Sequence, residues 1–447
     1  MPSVPDARVA PALHGVWQSR GYGWVFEIGP DGALGYDVSA VGCVAGPSQT
    51  AEAFGSWARV FSRDGETVQI AARPEQVTRY TLDRIEQVPP SCGTPLGPTP
   101  TEVFAYAWQV MAEQYAFFDL YGVDWHARRA EVAPRIRDDM SDADLFEALV
   151  DLLDGLEDAH LALEAEVDGQ RRRHRGKPAP VLGPLLRETF EAQSEATSMG
   201  GFANAWFNET HRRIREEILD PESVVIVGDE DAMWGRRGRI GYLQIGGMGG
   251  EALGDGLPPD ARLAAVQEVL DRALTDLADT DALLLDVALN QGGSDAVGLA
   301  IAGHFANAPS PGLTKTAHGA STLAPQVVRV RPTTGVRYLK PVTLLTTDVT
   351  LSAAETFTLQ MRALPTVTHV GEVTRGALSD VLFKSLPNGW TLQLSNEVYR
   401  DGDGVLWESR GITPDVPITV FTSGNLEGYP KALEGLLTWL SQTHRGG

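Results

Sequence analysis

The chain begins Met1-Pro2-Ser3-Val4-Pro5-Asp6, without the basic stretch and the apolar run of roughly 7–15 residues that a secretory signal needs. No segment approaches the ~18 uninterrupted apolar residues of a membrane span. The expectation is a soluble, cytoplasmic chain, exported only if a leader was removed ahead of this numbering. Cysteine is scarce: Cys43 and Cys92 are the only two, too few for a disulfide scaffold. Neither lies in a CxxC pair, so zinc held by cysteine is excluded. In a reducing compartment both read as inert thiols, although an exported relative could bridge them. Positive charge is also short, with 37 Lys and Arg against 59 Asp and Glu and a net charge of −22 at pH 7. Such a surface repels phosphate backbones and acidic membranes, so nucleic acid is not an expected partner. The G-x-G-x-x-G pattern and any repeat of fixed period are missing.

What is present is a globular composition, 43% hydrophobic and 21% charged over 447 residues, enough for two or three domains of about 100–200 residues each. Short alternating runs over 13–88, broken by turn signals such as Pro30-Asp31-Gly32 and Asp64-Gly65, predict a small antiparallel β domain. The proline-dense stretch 89–100 marks a linker. Helical spacing follows, from Val103 through Met111 and again from Leu145 to Leu156 after Ser141-Asp142. Five of the 37 basic residues crowd into positions 171–177, which reads as a solvated, mobile loop or a docking site for an acidic partner. From Gly238 onward strands and helices alternate. Strands are expected at 240–245, 282–287, 342–346, 367–371, 381–386 and 391–397, with helices near 260–278, 294–307, 352–364 and 427–442. The expected division is a β domain with its linker over 1–97, a helical subdomain over 98–165, a charged helical insertion over 166–237 and an α/β core over 238–447.

Four places could carry chemistry. Ser352, in Leu351-Ser-Ala-Ala-Glu355, opens a helix just after a buried strand. Its hydroxyl there stands at the positive helix end beside the Ala353 N–H, which suits a nucleophile and equally suits an N-cap. The paired glycines Gly292 and Gly293 follow the strand ending at Asp286-Val287, where main-chain N–H groups can meet a carbonyl or a plain turn can form. His160, in Asp158-Ala-His160-Leu, is a candidate base set in an apolar stretch, or a core histidine. Glu408, in Trp407-Glu-Ser-Arg-Gly-Ile-Thr-Pro-Asp415, is a candidate orienting acid or part of a charged turn.

These blocks in this order resemble a serine peptidase family, that of the tail-specific (C-terminal processing) proteases, the tricorn core protease and the retinoid-binding repeats of photoreceptor matrix. The resemblance spans roughly 100–420. It rests on the four blocks above together with Gly241-Tyr-Leu-Gln-Ile, Gly371-Glu-Val-Thr-Arg-Gly376 and Leu386-Pro-Asn-Gly-Trp390. It implies a wound, crotonase/ClpP-like α/β protease core, with a helical N-terminal subdomain and a small all-β N-terminal domain. It implies Ser352 as nucleophile, Ala353 with Gly292 or Gly293 as the oxyanion hole, His160 as base in the tricorn manner and Glu408 in support.

The processing branch instead takes its base from a lysine soon after Gly-x-x-T-x-G, but Ala377 and Leu378 stand there in this chain. The tricorn-like serine before the histidine is Ala159, the arginine common after Asp-Val is Ala288, and no PDZ-type module is visible. The chemistry implied is acyl transfer on peptides or unfolded polypeptide ends, with the substrate extended beside a core strand and no metal or cofactor required. Homo-oligomers are left open. A rival reading is a catalytically weak or inactive protein that binds a hydrophobic small molecule or a peptide on the same fold. A further one gives residues 1–97 a recruiting or gating role, with Trp17, Trp24, Phe26 and Tyr36 lining a pocket or packing as a core.

Overall fold

The structure is a computed structural model. It describes residues 9–444 apart from 10, 47, 51–57, 62–64, 72–76, 94–95, 179, 193–197, 230, 251 and 423–424. Met1 to Asp6 and Asp64 of the expected turn lie outside the described residues. The chain divides into two compact units, each assembled from three stretches. The first comprises Met1–Pro178, Lys315–Gln326 and Ser379–Tyr399; the second comprises Ala179–Thr314, Val327–Leu378 and Arg400–Gly447.

The first unit opens with an antiparallel sheet in which strand Gly15–Ser19 pairs with Trp24–Gly29 on one side and Tyr80–Ile85 on the other. Trp17 lies wholly buried in its core with Leu13, Ile28, Val68, Ile70 and Leu82, and its indole N–H donates to the Leu13 carbonyl at 2.8 Å. Trp24 stacks on Tyr22 at 5.0 Å and meets Tyr80 edge-on. Trp17 and Trp24 are thus engaged in packing. Cys43 and Cys92 are joined in a disulfide, which corrects the expectation of two inert thiols. The bridge ties strand Gly42–Ala45 to the single turn Pro90–Cys92.

The expected helices form as Pro100–Gln114 and Asp142–Leu153, capped by Thr99 and Ser141, whose side chains accept from Glu102 N and Asp144 N. The basic run is not a loop. Gln170–Arg175 is a strand antiparallel to Ala162–Val167, the turn between them made by Asp168 and Gly169, both at positive φ. Glu164 holds Arg171 and Arg173, and Glu147 holds Arg172.

The second unit is built on a seven-stranded sheet ordered Val225–Val227, Ala232–Arg237, Ile240–Ile245, Ala282–Asp286, Val342–Thr346, Val367–Gly371, Val416–Pro417. The last five run parallel. Their near-continuous apolar sequences follow from burial on both faces. Leu243, Leu283, Leu285 and Leu344 point to one face, against helices Pro259–Asp276, Asp295–Gly303 and Ala353–Arg362. Tyr242, Leu284 and Leu345 point to the other, against helix Gly428–Thr443 and residues 182–219. The result is a wound α/β core whose parallel strands all deliver their loops to one edge, where α/β proteins place their sites.

Candidate active site

Ala282–Asp286 and Val342–Thr346 are neighbours in register, with Asp286 opposite Leu345. The loops that leave their C-terminal ends therefore emerge side by side. Side chains of the second loop staple it to the first: Thr347 Oγ1 donates to the Ala288 carbonyl and Thr350 Oγ1 to the Val287 carbonyl, the latter at 2.9 Å. Leu351 N donates to the Asn290 carbonyl at 3.1 Å. Serine and glycine loops are thus fixed to each other before either can meet a substrate.

Ser352 stands at the start of helix Ala353–Arg362 with φ 61° and ψ −124°, a conformation that L-residues rarely adopt outside functional turns. Its side chain is half-buried. Gly292 lies directly against it: a Cβ there would fall 2.7 Å from Ser352 Cβ and 2.9 Å from Ala353 N. Ser352 and Ala353 therefore lie beside Gly292 and its chain neighbour Gly293.

Gly292 N donates to Asn290 Oδ1 at 2.8 Å, within its own loop. Among the described residues, Gly293 N and Ala353 N donate in no hydrogen bond. Both sit at the mouth of the turn, and Ala353 N opens a helix, where the dipole adds positive potential.

Glu355, to which the sequence motifs assign no role, is wholly buried and collects Thr374 Oγ1, Gly376 N at 2.7 Å, Ala377 N at 2.8 Å and Ser352 N at 3.3 Å. Burial pushes its carboxyl up, against these four donors, which favour the charged form. The serine turn is in this way tied to loop 374–377. The signal for it was in the sequence, because Ser-x-x-Glu at a helix start is a capping pattern. Glu408, 1% exposed, accepts from Leu378 N at 2.9 Å, and Ser409 N donates to the Gly376 carbonyl at 2.8 Å. Glu408 thus fastens the far end of the same loop.

His160 belongs to the first unit and is buried. Its own N–H donates to Asp158 Oδ1 at 2.8 Å, and Tyr115 holds Asp158 Oδ2 at 3.0 Å. Its ring Nδ1 has no hydrogen-bond partner among the described residues. Burial pushes the imidazole below its ordinary pKa, opposed by the charges of Asp158 and Asp380. Burial acts to raise the Asp380 carboxyl, but Lys315, 3.0 Å away, and Thr78 outweigh it and hold the group below the usual range.

Residues 239–418 match the model of peptidase family S41, and residues 98–154 match the tricorn protease C1 domain. In fold, a peptidase structure from Parabacteroides merdae covers 76% of this chain and 96% of its own at 24% identity and a TM-score of 0.58. Mature CPAF, solved in complex with lactacystin, covers 77% and 98% at 14% identity and a TM-score of 0.53. The matched residues 239–418 span the five parallel strands, both site loops and Glu408. Among the described residues no group of His, Cys, Asp and Glu is arranged to hold a metal ion, and no helix is long and apolar enough to cross a membrane.

Proposed function

We propose that this chain is a serine peptidase that hydrolyses peptides or unfolded polypeptide ends through an acyl-enzyme, with Ser352 as nucleophile, His160 as its base and Glu408 as a positioning carboxylate. The observation that carries the reading is the strained, half-buried Ser352 between two uncommitted amides, Ala353 N and Gly293 N. A hydroxyl held at φ 61° and backed by a fully hydrogen-bonded Glu355 is pre-oriented. His160 supplies a neutral imidazole with an unoccupied nitrogen, the form a general base needs.

In the reaction, Ser352 Oγ attacks the carbonyl carbon as His160 takes its proton, and the two amides hold the oxyanion. Each such donor is worth roughly 2.7–4 kcal/mol. The tetrahedral adduct then collapses, the leaving amine takes the proton from His160, and water repeats the sequence on the acyl-enzyme.

Treatment with a fluorophosphonate tests this directly. We expect one covalent adduct, mapped by mass spectrometry to Ser352 and lost in His160→Ala. Folded protein that takes no label would end the hydrolase reading and leave the binding protein in its place.

The Cys43–Cys92 disulfide further supports an oxidising compartment in place of the expected cytoplasm. Alkylation of protein quenched in its native compartment should label neither cysteine before reduction and both after. Two free thiols before reduction would restore the cytoplasmic assignment.

A further inference from the structure

The cleft beside the paired glycines is not used by the chemistry above. It has a volume of about 490 Å3 and is walled by Gly292 and Gly293 on one side and by Gly246, Gly247, Gly249 and Gly250 on the other. The two walls are joined as a short parallel ladder, with Met248 N donating to the Gly292 carbonyl at 2.8 Å and Ser294 N to the Met248 carbonyl at 2.7 Å. Glycine is required at Gly250, where φ is 110° and a Cβ would fall 1.9 Å from Asp231 Oδ1. The side chain of Asp231 is thus pressed flat against this wall, its Oδ2 accepting from Ala252 N at 2.8 Å.

Three carboxylates line the cleft: Asp229, Asp231 and Asp255. Arg262 pairs with Asp255, whereas among the described residues no Lys or Arg pairs with Asp229 or Asp231. Asp229 is exposed. Gln244 also lines the cleft and is only 4% exposed, and among the described residues its buried Oε1 has no hydrogen-bond partner. Its amide is fixed from behind. Nε2 donates to Tyr429 Oη at 3.2 Å, and Tyr429 and Tyr242 both donate to the buried Asp286, at 2.7 and 2.9 Å. A buried acceptor without a donor costs stability unless something supplies the donor.

We infer that this cleft is the subsite for a substrate residue flanking the scissile bond, and that it selects lysine or arginine. The inference rests on the peptidase reading, since Gly292 is what joins the cleft to Ser352. A cationic side chain brings a charge for Asp229 and Asp231, while an acidic side chain meets two like charges.

Fluorogenic peptides varied to Lys, Leu or Glu at the two positions flanking the cleaved bond test it, with cleavage sites read by mass spectrometry. We expect kcat/KM for Lys to exceed that for Leu by roughly tenfold at one of the two positions, the scale of a single partly desolvated ion pair, and Glu to be the poorest. The Lys/Leu ratio should fall several-fold in Asp229→Asn and drop below one in Asp229→Lys. Because Asp229 is exposed, neither substitution disturbs the loop that Asp231 holds. Equal rates for Lys and Leu, or a preference that ignores both Asp229 variants, would overturn the assignment. Fluorophosphonate labelling of Ser352, run in parallel, separates that outcome from failure of the peptidase reading, in which no label is taken.

Discussion

Ser352→Ala will reduce peptide hydrolysis to background, His160→Ala will reduce kcat nearly as far, on the order of 10⁴–10⁶, and the double variant will be no slower than either single one. The reason is that a hydroxyl without a base, or a base without a hydroxyl, contributes nothing to the attack, so the two losses do not add. The variants should fold but melt somewhat below the parent, because His160→Ala empties a buried position that bonds the Ser379 backbone and Ser352→Ala removes the capping oxygen of helix Ala353–Arg362. The pH profile gives a second readout. The active imidazole is the neutral one, so activity falls as pH falls through the His160 pKa. Burial lowers that pKa, which places the acid limb of kcat/KM below about 6.5, the midpoint of an unperturbed histidine. Additive losses in the double variant, or an acid limb well above that value, would remove His160 from the base position.

Much of this arrangement was legible because it is written in local periodicity. The strands Ile240–Ile245, Ala282–Asp286 and Val342–Thr346 stand where apolar runs predicted them, since a strand buried on both faces has nowhere to put a polar side chain. The meeting of Ser352 with Gly292 follows from the same pattern, because adjacent parallel strands place their C-terminal loops together. What the pattern did not show depends on partners distant in sequence or on side chains that fold back. The strand Gln170–Arg175 has no apolar alternation and is made by its neighbour, Ala162–Val167, and by Glu164. Asp168-Gly169 was the one local hint of that hairpin. The hydrogen bond of the Gly292 amide depends on the Asn290 side chain turning onto its own backbone two residues on. The disulfide joins positions 49 apart, and nothing in the spacing of two cysteines specifies that they approach.

Gly292→Ala is the substitution that tests the close approach itself, and it should cost both activity and stability. The new methyl would lie 2.7 Å from Leu351 O and from Ser352 Cβ and 2.9 Å from Ala353 N. Two of these are backbone atoms of a loop pinned by Thr347, Thr350 and Leu351, so they cannot move aside without displacing the nucleophile. The residue would also have to hold φ 94°, which costs a side-chain-bearing residue about 1–2 kcal/mol. Together with overpacking, a stability loss of about 1–3 kcal/mol is expected. Displacing Ser352 from its amides should lower kcat by at least the roughly 10²–10³ that follows loss of one oxyanion donor. Gly404→Ala separates the two causes. Gly404 has φ 81° with nothing within 4 Å of the added carbon, so it carries the backbone strain without the collision. A Gly292→Ala enzyme that loses stability only as much as Gly404→Ala, and that keeps its turnover, would show that the glycine loop does not touch the serine in the working molecule.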